Sequence, residues 1–254
     1  MNRRPFVLAL LLACVASAAP AQDRGAEERP AAAPRAVVEL FTSQGCASCP
    51  PADALLTEMA KDPQIIALTL AVDYWDYIGW KDTLALHGHS ERQKAYAEKR
   101  ADRKIYTPQV VVDGTHPAKG SDRAAVQRAI LAARSAAATL LVSMSLNRAG
   151  DALELAVDGG VPPGMEGAEL WLCPVTKVQP VAIGRGENSG RQMTYSNVVR
   201  GWIRLGAWDG GRTRRTIPLS SVRLEGIDKV VVLLQAGSAT KPGPILGATS
   251  LSLD

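Results

Sequence analysis

The chain has 254 residues, 46% of them hydrophobic and only 5% aromatic, so aliphatic side chains must fill most of any core. Its formal net charge is +4, and Arg3 and Arg4 supply two of those charges in a leader. The remaining balance excludes a strong electrostatic pull toward nucleic acid or a membrane surface.

Residues 1–21 read as an export signal: a charged head at Arg3 and Arg4, a short apolar core from Phe6 to Val15, and the small-x-small site Ala19-Pro20-Ala21. The core is too short for a permanent membrane span, and no other stretch is long and apolar enough. The expected location is therefore periplasmic or secreted. Asn-Arg-Arg-Pro-Phe loosely resembles a twin-arginine signal, and Leu11 to Cys14 a lipoprotein box that would lipidate Cys14. Residues 22–34 are rich in Ala, Pro and charge without periodicity, which predicts a disordered spacer. Beyond the leader the cysteines are Cys46, Cys49 and Cys173. A disulfide-stapled domain would have more, in even number, so the pattern suggests one functional pair and one single cysteine.

Arg35 to Ser43 is a β-type run, and Gln44-Gly45 turns the chain. Cys46 to Lys61 reads as a helix with Pro50 and Pro51 in its first turn, where proline is tolerated. Ile65 to Val72 is uniformly apolar, as in a strand buried on both faces. An aromatic loop follows from Asp73 to Asp82, then a polar helix from Ser90 to Arg103, a strand from Gln109 to Asp113 and a helix from Ser121 to Ala138. Alternating strands and helices predict an α/β domain over residues 35–138. From residue 139 to 254 the texture becomes all-β. Leu140 to Leu146 and Ala152 to Val157 suggest a hairpin. Further strands are expected at Glu169–Val175, Val178–Ile183, Asn197–Leu205, Thr213–Leu219, Lys229–Gln235 and Ile245–Leu253. Regular short strands of this kind predict a β-sandwich-like second domain.

Cys46-Ala-Ser-Cys49 at a helix start suits thiol–disulfide exchange. Unpaired N–H groups and the helix dipole favour a thiolate on Cys46, and Cys49 can then resolve the mixed disulfide. Other uses of the pair are a structural disulfide, which closes too small a loop to stabilise much, and a zinc site, which lacks two further ligands at fitting spacing. A Cu(I) site, completed by one histidine, remains the alternative function, with the chain acting as a soft-metal carrier.

Gly45-Cys46-Ala-Ser-Cys49-Pro50 at the first strand–helix junction, with Tyr106-Thr107-Pro108-Gln109 before the next β run, resembles the thioredoxin superfamily. The segments Val-Glu-Leu-Phe-Thr-Ser-Gln-Gly-Cys, Val-Asp-Tyr-Trp-Asp-Tyr-Ile-Gly-Trp-Lys-Asp and Tyr-Thr-Pro-Gln-Val-Val-Val-Asp-Gly are similar to a secreted bacterial thioredoxin-like family known only as a domain of unknown function. Residues 185–200 are similar to its C-terminal part. The resemblance implies a thioredoxin-like fold for 35–138, a cis bond at Thr107-Pro108, and a Thr107 backbone that pairs with a substrate chain. It also makes Glu39, on the strand leading into the cysteines, a candidate buried acid that moves a proton to Cys49. The alternative for Glu39 is a solvent-facing carboxylate, and for Pro108 a trans strand-entry proline. Gly45 stands where thioredoxins have Trp, and the Ala-Ser dipeptide lacks the His of strongly oxidising relatives.

Among the aromatic loop residues Tyr74, Trp75, Tyr77 and Trp80, the first two are candidate substrate contacts; a hydrophobic plug fits Trp80 better. Asp73 and Asp76 read as turn or helix caps, and no carboxylate pair for acid–base work stands out. His87 and His89 fall in an expected loop and are weak metal candidates. Cys173 reads as a buried apolar cysteine, or a third redox partner if the second half folds back. Arg212 to Arg215 reads as a solvated strand face. The expected function is an extracytoplasmic thiol–disulfide oxidoreductase acting on protein or small-molecule thiols, with no metal and no cofactor.

Overall fold

The computed structural model describes Met1 and residues 34–100, 102–136, 139–165, 167–222 and 225–253. The expected export signal and nearly all of the spacer lie outside the described residues. Ala31–Asp254 form one compact unit.

The first half runs β1 (Ala36–Thr42), α1 (Pro50–Met59), β2 (Ile65–Ala71), α2 (His87–Lys99), β3 (Gln109–Val112), β4 (His116–Lys119) and α3 (Arg123–Ser135). Strand β1 pairs parallel with β2 and antiparallel with β3, and β3 pairs antiparallel with β4. The parallel pair requires a crossover, which α1 supplies. Strand parity sorts β1 onto two faces. Ala36, Val38 and Leu40 pack with Ala52, Leu55 and Leu56 of α1 and with Val126 and Ile130 of α3. Val37 and Phe41 point the other way, into a layer with Tyr96 of α2 and with residues from the second half.

The second half runs β5 (Ser143–Ala149), β6 (Ala152–Asp158), β7 (Ala168–Ala182), β8 (Gln192–Val199), β9 (Ile203–Trp208), β10 (Thr213–Pro218), β11 (Lys229–Ser238) and β12 (Lys241–Ser252). Strands β10, β6 and β5 form a three-stranded sheet. Its inward Leu153, Leu155 and Val157 pack on Leu170, Leu172, Val230, Val232 and Leu246, so two sheets face each other here.

The larger sheet of that pair is not separate from the first half. One nine-stranded sheet runs in the order β12-β11-β7-β8-β2-β1-β3-β4, with β9 also on β7. The junction is β2 with β8, a single register pair at Thr69 and Val198. Side chains reinforce it: Asn197 Nδ2 donates to the Ala67 carbonyl (2.9 Å) and the Thr69 hydroxyl to the Ser196 carbonyl (2.7 Å). The change of texture after α3 thus marks a change of secondary structure inside one sheet.

Several element boundaries differ from the sequence expectation. The helix expected from Cys46 begins at Pro50, leaving Cys46 in the preceding turn. His87 and His89 open α2 instead of lying in a loop. Strands expected at 169–175 and 178–183 are one strand, β7. The strand expected at 197–205 is broken between β8 and β9 at Arg200-Gly201-Trp202, because the two halves of β7 need separate partners on that edge. Strand β4 is an addition; its Pro117 leaves little strand signal in the sequence.

Candidate functional site

Cys46 and Cys49 form a disulfide, with an S–S distance of 2.12 Å and Cα atoms 5.4 Å apart. Both are buried, at 1% and 0% exposure. The turn that carries them is built from backbone bonds: Cys46 N–H donates to the Ser43 carbonyl and Cys49 N–H to the Cys46 carbonyl, each at 3.1 Å. Cys49 is the N-cap of α1. Its carbonyl accepts from the N–H groups of Ala52 and Asp53, while Pro50 and Pro51 have none to offer. The helix end therefore presents few free donors to a thiolate. The Ser48 hydroxyl stands 3.5 Å from Cys46 Sγ, within hydrogen-bonding reach of the sulfur.

Thr107–Pro108 is a cis peptide bond. Trp75 is set by this segment, its indole N–H donating to Thr107 Oγ1 at 2.8 Å. Trp75 and Ile78 also pack over Gly45 beside the cysteine turn. Tyr74 reaches the same segment: its hydroxyl donates to Gln93 Oε1 of α2 at 3.0 Å and also interacts with the Thr107 side chain. Trp80 donates to Gln44 Oε1 at 2.8 Å and so braces the turn before Cys46.

Glu39 is fully buried and bound on the α2 side. Its odd position on β1 faces α2, opposite the face on which α1 packs. Both of its oxygens are engaged: Arg92 Nε donates to Oε1 and the Tyr96 hydroxyl to Oε2, each at 2.7 Å. Gln235 of β11 closes the network, accepting from Arg92 at 2.9 Å and donating to Tyr96 at 2.8 Å. Such a pair holds elements together, and both oxygens are committed to groups on the α2 side.

The acid on the cysteine face is Asp53, in the first turn of α1. It lies four residues after Cys49, on the same side of the helix. It is buried, and neither carboxylate oxygen has a hydrogen-bond partner. Burial pushes its carboxyl up to about 7; the nearby Thr42 hydroxyl, close but outside hydrogen-bonding geometry, works against the rise and the charge of Asp82 adds to it. Asp82 is also raised, first by burial, although it accepts from the N–H groups of Gln44 (2.7 Å) and Leu84 (2.8 Å). Two interacting buried carboxylates thus stand beside the cysteine turn. The spacing Cys49-Pro-Pro-Ala-Asp53 was the available signal, since i and i+4 share a helix face.

The remaining candidates are occupied. His87 Nδ1 pairs with Asp73 at 2.9 Å, and His89 Nδ1 with the Ala71 carbonyl at 2.9 Å. Burial pushes the His89 imidazole down to about 4. Among the described residues no three His, Cys, Asp or Glu side chains are grouped to hold a metal ion. Cys173 is buried in β7 within the apolar layer behind β1, and burial pushes its thiol far above the usual range. Arg214 and Arg215 are exposed on β10, and Arg212 pairs with Asp158 just before it. A cleft of about 480 Å³ beside α2, lined by Trp171, Trp202 and Arg92, includes neither cysteine of the pair.

Fold and site together define a mixed α/β protein with a Cys-x-x-Cys disulfide at a strand–helix junction. The chain belongs to the family described as "Protein of unknown function (DUF1223)", whose model matches residues 37–235. No curated protein matches it. A crystal structure of protein AGR_C_4864 from Agrobacterium tumefaciens is similar at 34% identity and a TM-score of 0.77, over 87% of this chain and 96% of that one. Hypothetical protein PH1083 from Pyrococcus horikoshii OT3 aligns at 14% identity and a TM-score of 0.20, over 45% of this chain and 88% of that one. The latter similarity is too low to bear on fold or function. No helix among the described residues is long and apolar enough to cross a membrane.

Proposed function

We propose that this protein is an extracytoplasmic thiol–disulfide oxidoreductase with a thioredoxin-like first half. The observation that carries the reading is the Cys46–Cys49 disulfide between the end of β1 and the start of α1. The strand order β2-β1-β3-β4, with the Thr107–Pro108 segment entering β3, supports the same reading.

In the oxidised form a substrate thiolate attacks Cys46 Sγ. The Cys46–Cys49 bond breaks, a mixed disulfide forms on Cys46, and Cys49 leaves as a thiolate that takes up a proton. A second substrate thiol, losing its proton, then attacks the mixed disulfide and releases Cys46 as a thiolate. The substrate dithiol has become a disulfide, and two electrons reside on the cysteine pair, with Cys49 protonated, Cys46 a thiolate and the remaining substrate proton released to solvent. The reverse sequence reduces a substrate disulfide. Asp53, buried one turn below Cys49 and titrating near neutrality, is the group suited to exchange a proton with Cys49. Ser48 is the donor for a Cys46 thiolate. Trp75 and Thr107 border the groove in which an extended substrate chain would lie.

Replacing Cys49 with Ala should trap mixed disulfides on Cys46 in cells, and the purified pair should equilibrate with a glutathione buffer. If nothing is trapped and the pair resists both reductant and oxidant, the reading is wrong. The extracytoplasmic placement rests on the leader. Sequencing the mature N-terminus from an extracytoplasmic fraction should find the chain starting after Ala21; a lipidated Cys14 would replace soluble export with anchoring, and a cytoplasmic, unprocessed chain would overturn it.

A further inference from the structure

The disulfide is buried although Ala47 and Ser48, between its two cysteines, are exposed. Two segments cover the turn from outside: the aromatic loop, through Trp75 and Ile78, and residues 184–190, which link β7 to β8. The second is a self-contained loop. Its base is closed by paired backbone bonds between Ile183 and Arg191 (3.0 Å) and between Gly190 and Ile183 (2.8 Å). Within it Ser189 N–H donates to the Gly186 carbonyl at 3.1 Å. Gly186 and Gly190 take positive φ angles of 80° and 77°, a conformation that only glycine adopts without cost.

This loop is tied to the cysteine turn at few points. Asn188 is its one buried side chain, and its Nδ2 donates to the carbonyls of Gln44 (2.9 Å) and Cys46 (3.0 Å). Glu187 Oε2 accepts from Ala47 N–H at 3.3 Å, on the exposed side. Gly184 and Gly186 lie against the Trp80 ring and its Cβ, where an added Cβ would crowd the indole. Arg185, Gly186, Glu187, Ser189 and Gly190 are otherwise exposed. A segment held by one buried amide and one exposed carboxylate opens at far lower cost than the sheet beneath it.

We propose that residues 184–190 form a strap over the cysteine pair, latched by Asn188 and Glu187, which must lift before the disulfide exchanges. The strap also selects partners. In the closed position it excludes a large folded surface from Cys46 Sγ, and its lifting frees the Ala47 N–H for an incoming chain or for the Cys46 thiolate. Reduction favours lifting, because a thiolate on Cys46 adds negative charge one residue from the Ala47 N–H that the Glu187 carboxylate accepts from. The proposal rests on the redox reading for its purpose but not for its geometry.

The test is the rate at which dithiothreitol reduces the disulfide of the full-length oxidised protein, followed by thiol labelling and mass spectrometry. Asn188→Ala should accelerate reduction by roughly tenfold or more while the circular dichroism spectrum stays native. Rates within about twofold of the unaltered protein, with the fold retained, would overturn the strap. If Asn188→Ala does not fold, Glu187→Gln carries the test at an exposed position: a rise of roughly twofold is expected, and an unchanged rate overturns the proposal. Faster reduction with no mixed disulfide trapped by Cys49→Ala leaves the strap standing and removes the redox function. Trapping with unchanged rates does the opposite.

Discussion

At the residue scale the proposed redox chemistry turns on Asp53 and Ser48. A carboxyl that titrates near 7 when folded and near 3.8 in a model peptide favours its protonated form in the native state. Its contribution to stability is thus retained below pH 3.8 and lost as pH rises toward 7, on the order of a few kcal/mol. Asp53→Asn should therefore stabilise the oxidised protein at pH 8 and have little effect at pH 4, which urea unfolding at the two values would measure. Equal stability at pH 8 would mean that Asp53 is not the strained acid described. His89, pushed down to about 4, acts oppositely: its stabilisation fades as pH falls from 6.5 toward 4. In the reduced protein, Ser48→Ala should raise the Cys46 thiol pKa and slow its alkylation at neutral pH by roughly two- to tenfold. The pH dependence of thiolate ultraviolet absorbance reads this directly, and an unmoved titration would leave Ser48 without a role.

At the element scale, β1 is the pivot. Alternate residues face α1 with the cysteines and α2 with the Glu39–Arg92–Tyr96–Gln235 network. A carboxylate beside a Cys-x-x-Cys strand looks like a proton carrier in sequence, but parity sends Glu39 to the opposite face. Glu39→Ala would leave the Arg92 guanidinium buried without its counter-charge, at an expected cost of about 3–5 kcal/mol in chemical denaturation. The same variant should leave dithiothreitol reduction of the disulfide unchanged, whereas a true proton carrier would alter it. The helix start shows a similar limit. Pro50 and Pro51 were legible as first-turn residues, but the one-turn offset that leaves Cys46 outside the helix depends on backbone bonds in the Ser43–Cys49 turn.

At the scale of the whole molecule, the two halves share one sheet and one buried layer. Val37, Phe41, Leu68 and Leu70 of the first half pack with Val231, Leu233 and Ile245 of the second. The turn after β3 approaches β12 so closely that a Cβ on Gly114 would stand 2.4 Å from the Gly243 carbonyl oxygen. A fragment ending at residue 138 would expose that apolar face and strand Arg92 and Glu39 without Gln235. Such a fragment should fail to unfold cooperatively in calorimetry; a sharp transition near that of the full chain would show the first half to be an independent domain.

The sequence by itself determined the local and periodic features. The Cys-x-x-Cys spacing, the apolar runs of β1 and β2, the proline entering β3, and the helix periodicities all depend on neighbours within one or two turns. Tertiary structure decided what depends on distant pairing. It put Glu39 on the α2 side of β1, joined β8 to β2 across more than a hundred residues, and laid residues 184–190 against the cysteine turn. Those outcomes follow from strand parity and sheet order, which bring together residues whose separation along the chain carries no periodic signal.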